Sequence, residues 1–178
     1  MKVINFQASE IQIRELLKKK FLFRRRKEVV KLEKRFLPCY VFELLFRGEK
    51  AEKRVFVLCD GLLGKVRRII WPQPLVESKE GLPKLILDEE AAHKRVNEEA
   101  QWTLFPLRLR IKRKYRLVSA RKIAKVGFPF WIVYFKKREQ YSFSVFDGVS
   151  AKAENAFGRE IFLEVFGLRE KSGSSSLN

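Results

Sequence analysis

The sequence predicts an α+β fold, a tandem duplicated α-β-β-β module forming a pseudo-twofold body with antiparallel sheet. Three observations carry that expectation. The first is a pattern that occurs twice. Phe36-Leu37-Pro38-Cys39-Tyr40-Val41-Phe42, a charged break and Val55-Phe56-Val57-Leu58-Cys59-Asp60-Gly61 return as Gly127-Phe128-Pro129-Phe130-Trp131-Ile132-Val133, a charged break and Ser142-Phe143-Ser144-Val145-Phe146-Asp147-Gly148. The second is a helix-periodic segment ahead of each copy. The third is that the hairpin strands are apolar at both parities, as in Tyr40, Phe42 and Leu44 alongside Val41 and Leu45. Such strands need cover on both faces.

The elements follow in order. Ser9 suits a helix N-cap, and Ile11, Ile13, Leu16, Leu17 and Phe21 give a periodic apolar set, so a helix is expected over residues 9–22. Residues 29–36 form a strand leading to Pro38. Residues 40–47 and 53–60 make the first hairpin, with Gly48 and the charged residues after it as the turn. Residues 71–83 hold Pro72, Pro74, Gly81 and Pro83 without periodicity, which marks a linker.

Asp88 can cap a second helix, with Glu89 and Glu90 in the first turn where the helix dipole favours carboxylates. Ala91, Ala92, Val96, Ala100 and Leu104 carry its apolar spacing, and Pro106 ends it. From Leu107 the period becomes two, with Arg108, Arg110, Lys112, Lys114 and Arg116 on one side and Leu107, Leu109, Ile111, Tyr115 and Leu117 on the other. A second hairpin follows over residues 130–135 and 141–146. Residues 161–166 suit a strand or a short helix, and 171–178 a disordered polar tail. The expected domains are a first repeat over 1–70, a linker over 71–87, a second repeat over 88–170 and that tail.

A hairpin centred on Glu49 places Cys39 across from Cys59, and one centred on Arg138 places Phe130 across from Phe146. The two cysteines lack metal-ligand and Cys-x-x-Cys spacing, so a core pair is expected in place of a disulfide or redox site.

The balance of 39 Lys and Arg against 21 Asp and Glu gives the 178-residue chain a net charge of +18 and a pI near 10.2, which selects polyanions as partners. The N-terminus has no apolar signal-like stretch and no segment has the run of about 20 apolar residues of a membrane span, so a cytoplasmic protein is expected. High Lys, Arg and Glu with few Asn, Gln and Met matches the composition of heat-adapted proteins.

Residues 18–35 hold ten Lys or Arg against Glu28 and Glu33, and residues 108–125 hold nine and no acid. The candidate nucleic-acid-binding residues are Lys18, Lys19, Lys20, Arg24, Arg25, Arg26 and Lys27 in the first stretch, and Arg108, Arg110, Lys112, Arg113, Lys114, Arg116, Arg121 and Lys122 in the second. Cations on one side of a strand recur about every 6.6 Å, a row that suits a phosphate backbone. Phe21, Phe23, Trp102 and Tyr115 could stack on unpaired bases where exposed.

Asp60-Gly61 and Asp147-Gly148 suit turns that need positive φ, with the carboxylate bonded to nearby backbone N–H groups. The only histidine is His93, and the residues supply no catalytic constellation, metal-ligand cluster, cofactor motif or phosphate loop. The expectation is a non-catalytic nucleic-acid-binding protein. The alternative is an interaction or regulatory module docking an acidic protein or an anionic membrane surface.

A helix followed by strands, an aromatic-rich first hairpin strand beginning at Tyr40 and an Asp60-Gly61 ending resembles the PepSY-like α/β modules over residues 9–65 and, less closely, 88–152. That resemblance implies a small non-catalytic module, often regulatory.

Overall fold

The computed structural model describes residues 2–21, 28–49, 51–79, 82–84, 86–103, 115–138, 140–154 and 163. Its elements in chain order are β1 (Lys2–Ile4), α1 (Glu10–Phe21), β2 (Glu28–Gly48), β3 (Glu52–Asp60), β4 (Val66–Ile69), β5 (Leu75–Glu77), α2 (Glu89–Thr103), β6 (Tyr115–Lys137) and β7 (Gln140–Asp147). The fold is α+β. The expected strand over 107–114, the element at 161–166 and the tail lie outside the described residues, apart from Leu163, which is helical.

The chain divides into two compact units that do not follow chain order. One joins Met1–Asn5 to Phe36–Phe128, and the other joins Phe6–Arg35 to the chain from Pro129 onward.

In the first unit the strand order is β4-β3-β2-β6-β1-β5. Helix α2 covers one face of the β2–β3 hairpin. Ala92, Val96 and Ala100 pack with Tyr40, Phe42, Leu44, Phe46, Val55, Val57, Cys59 and Tyr115, while Leu117 and Ala120 of β6 close the side. Each large apolar side chain fully buried here contributes about 1.5–3 kcal/mol.

In the second unit α1 covers the β6–β7 hairpin. Ala8, Ile13 and Leu17 pack with Trp131, Val133, Phe135 and Phe146, and Val29 and Leu32 of β2 close the side.

The helix starts form as their local sequence dictates. The Ser9 hydroxyl accepts from the Gln12 N–H at 3.2 Å, and the Gln12 side chain accepts from the Ser9 N–H at 2.9 Å. That reciprocal pair satisfies two amides outside the helical ladder. Asp88 Oδ1 accepts from the Ala91 N–H at 2.8 Å.

Four features differ from the sequence reading. First, Pro38 and Pro129 do not end strands. β2 runs 21 residues through one and β6 runs 23 through the other. Proline forbids only an N–H donation, and each of these prolines instead accepts through its carbonyl, from Gly61 and Gly148 respectively.

Second, both hairpin registers sit one residue from expectation. Tyr40 faces Cys59 and Cys39 faces Asp60, while Trp131 faces Phe146 and Phe130 faces Asp147. The innermost pairs Arg47–Glu52 and Lys137–Gln140 enclose an even number of residues, so each hairpin centre falls between residues and not on one. The slip puts Cys39 and Cys59 on opposite faces of the sheet, which rules out a cross-strand pair.

Third, the sheet is mixed, because β1 pairs β6 in parallel at Val3–Gly127. Fourth, the stretch expected to be a linker contributes β5, which pairs β1 antiparallel.

Both thiols are free and buried. Burial pushes the Cys59 thiol up to about 12 and the Cys39 thiol higher than its ordinary value. Neither therefore reacts with Ellman's reagent in the native protein at neutral pH, and both titrate once guanidinium unfolds it. Fast labelling of a native thiol would contradict this packing.

Candidate nucleic-acid interface

The described basic strand is the first part of β6. Tyr115 points inward and is 5% exposed, Arg116 is exposed, and Leu117 and Ala120 pack against the core of the first unit. These inward positions are three apart, so the alternation shifts phase between them. Val118, Ser119, Arg121, Lys122, Ile123 and Lys125 are exposed. Two apolar side chains thus stand among four cations.

Two of those cations have acidic partners. The Arg121 guanidinium donates to Glu43 at 2.9 Å, with Arg54 3.7 Å from the same carboxylate, and Lys122 pairs with Glu89 in the first turn of α2. Both are surface pairs, worth about 0–1 kcal/mol each and open to exchange for another anion. His93 helps fix α2 to this strand. Its Nε2–H donates to the Ala120 carbonyl at 2.9 Å, and Nδ1 accepts from the Asn97 amide at 3.1 Å. With both ring nitrogens engaged, His93 serves as a structural tie between helix and strand.

The other expected site residues distribute as follows. Lys18 is exposed on α1, in the second unit. Lys19 and Lys20 belong to the same helix by backbone, but their side chains lie outside the described residues. Arg24, Arg25, Arg26, Lys27, Arg108, Arg110, Lys112, Arg113 and Lys114 lie outside them altogether. Among the aromatic residues expected to stack, Tyr115 is buried with the Lys53 ammonium 5.5 Å over its ring. It fills core and is not a stacking platform. The side chains of Phe21, Phe23 and Trp102 lie outside the described residues.

In the second unit, several described cations have partners. Glu33 gathers Lys31, Arg35 and the Tyr134 hydroxyl, which donates to it at 3.0 Å. Burial, and then that hydrogen bond, push the Tyr134 phenol up to about 12. The Lys34 ammonium lies 5.1 Å from both the Phe6 and Trp131 rings. Sequence reasoning missed the Tyr134–Glu33 bond and the Lys34–Trp131 contact because they join residues far apart in the chain. The one local signal was Glu33 set between cations.

Each unit carries one aspartate turn. In the first, Asp60 Oδ1 accepts from the Leu62 and Leu63 N–H groups at 3.1 and 2.7 Å, and Oδ2 accepts from Lys65 at 2.7 Å. In the second, Asp147 Oδ1 accepts from Val149 and Ser150, both at 2.8 Å. The left-handed backbone expected at the Asp-Gly pairs falls instead four residues after each aspartate, at Gly64 (φ 72°) and at Ala151 (φ 57°), and not at Gly61 or Gly148. The carboxylates thus fold the turns. Among the described residues no three His, Cys, Asp or Glu are grouped to hold a metal ion, and no helix is long and apolar enough to cross a membrane.

No protein-family model, curated protein or solved structure matches this chain. The functional reading therefore rests on its own residues.

Proposed function

We propose that this chain is a non-catalytic, cytoplasmic protein that binds the phosphate backbone of RNA or DNA with little sequence preference, and that it is built from two tandem α-β-β-β repeats. The observation that carries the binding reading is the β6 stretch 116–125. Arg116, Arg121, Lys122 and Lys125 all reach solvent there, in a chain of net charge +18. An extended strand offers cations at a spacing of about 3.3 Å per residue. A phosphate backbone can follow such a row while releasing its own counterions.

Exposure of Val118 and Ile123, 42% and 37%, within the same row favours a second reading. An acidic protein that buries apolar surface would use those two side chains, whereas a phosphate backbone would not.

Fluorescence anisotropy with single-stranded RNA, duplex RNA and duplex DNA over a salt series separates the readings. Arg116→Glu with Lys125→Glu changes two exposed cations in one strand. The double variant is expected to reduce the slope of log affinity against log salt by about two and to weaken binding about tenfold or more near ~0.1 M salt. Weak binding of every polymer by the unmodified protein would sink the first reading and send the search to acidic proteins.

A further inference from the structure

The two turn frames share three backbone hydrogen bonds at equivalent positions. Gly61 N–H donates to the Pro38 carbonyl at 2.8 Å, and Gly148 N–H donates to Pro129 at 2.9 Å. Asp60 N–H donates to Lys65 at 3.0 Å, and Asp147 N–H to Lys152 at 2.9 Å. Gly64 N–H returns to the Asp60 carbonyl at 3.1 Å, and Ala151 N–H to Asp147 at 2.9 Å.

The matching continues into the helices, and there the chain order crosses over. The Gly61 carbonyl accepts from Ile86 and Leu87, the residues before the Asp88 cap of α2. The Gly148 carbonyl accepts from Gln7 and Ala8, the residues before the Ser9 cap of α1. Tyr40 donates its hydroxyl to the Leu87 carbonyl at 3.2 Å, and Trp131 donates its indole N–H to Ala8 at 2.9 Å. Counting from the caps, the buried Ile13 and Leu17 of α1 hold the same places as Ala92 and Val96 of α2.

We infer that the chain is a fused dimer of one helix-plus-hairpin module whose two copies have exchanged helices, so that each hairpin is a docking surface for the helix of the other copy. α1 precedes β2–β3 in sequence but docks on β6–β7. α2 precedes β6–β7 but docks on β2–β3. Ala92, Val96 and Ala100 pack with Tyr40, Phe42, Leu44, Phe46, Val55, Val57 and Cys59 of β2–β3, and Ile13 and Leu17 pack with Trp131, Val133, Phe135 and Phe146 of β6–β7.

This inference rests on the repeat proposed above and not on the polyanion site, so failure of nucleic-acid binding leaves it standing. The test uses the full chain with a protease site inserted between Ser78 and Lys79. Benzoylphenylalanine replaces exposed Arg95, whose Cγ lies 3.1 Å from where a Cβ on Gly64 would sit, or exposed Gln7, which bonds Gly148. The folded protein is irradiated intact, then cut and run on a denaturing gel. Exchange predicts that either photo-adduct keeps the two fragments joined, with the Arg95 adduct mapping near residue 64 and the Gln7 adduct near residue 148. Fragments that separate, with each adduct inside one repeat, would overturn the exchange while leaving the polyanion reading untouched.

Discussion

Replacing Trp131 with alanine is expected to destabilise the protein by about 3–5 kcal/mol, the range for removing a large buried aromatic ring. For a chain of this size that is a fall in Tm of roughly ten degrees. Trp131 is 3% exposed and does several jobs in the second unit. Its ring meets Phe6 edge-on at 5.3 Å, takes the Lys34 ammonium on its face, and packs with Ile13 and Leu17 of α1. Its indole N–H satisfies the Ala8 carbonyl one residue before the helix cap.

Trp131→Phe separates these contributions, since it keeps a ring and loses the donor. It is expected to cost about 1–3 kcal/mol, the range for a buried acceptor left unpaired. The counterpart in the first unit is Tyr40→Phe, which removes only the hydroxyl bond to Leu87 and should cost about 1 kcal/mol. Urea melts of the three variants check the order. Equal losses from Trp131→Ala and Trp131→Phe would mean that the hydrogen bond, and not the ring, holds α1 in place.

What was legible in the sequence is what physics makes local. Ser9 and Asp88 announce their helices because a cap bonds amides within its own first turn. Asp60-Gly61 and Asp147-Gly148 announce their turns for the same reason. Hairpin register was legible only to within one residue, since the number of residues in a turn decides which strand positions face each other and composition does not reveal its parity.

β1 and β5 escaped because three-residue strands carry no period, and the strands they pair with lie far along the chain. The destination of the helices was invisible for a deeper reason. Periodicity shows that α1 has an apolar face, but both hairpins offer an apolar surface to receive it. Which of the two receives it is a pairwise property that a single pass along the chain does not evaluate.

The candidate site was legible by charge and not by geometry. Arg116, Arg121 and Lys122 fall on the exposed strand, while Tyr115, read as a stacking ring where exposed, is core. The sequence also suggested two equivalent basic regions. Among the described residues, Glu33 draws Lys31 and Arg35 together in one, whereas the other keeps Arg116 and Lys125 on its surface.

Replacing Asp60 with alanine should be about as damaging as losing Trp131, by a different mechanism. Asp60 is the one buried charged side chain among the described residues, 6% exposed, and its carboxylate accepts from three backbone amides. Alanine removes the acceptor from all three at once. Each amide left without a partner in a buried turn costs about 1–3 kcal/mol, so a total of about 3–5 kcal/mol is expected after partial relaxation.

Asp60→Asn keeps the shape of the side chain but sets an NH2 group against the Lys65 N–H, and should cost about half as much. Asp147→Ala serves as the comparison, because that side chain is half-buried and water can reach the amides it leaves. About 1–2 kcal/mol is expected there. Chemical denaturation of the three variants gives the ordering directly. If Asp147→Ala were as harmful as Asp60→Ala, solvent would not be compensating in the second turn. If Asp60→Ala were harmless, the carboxylate would be a passenger on a turn held by its backbone bonds alone, and its burial would call for a functional explanation.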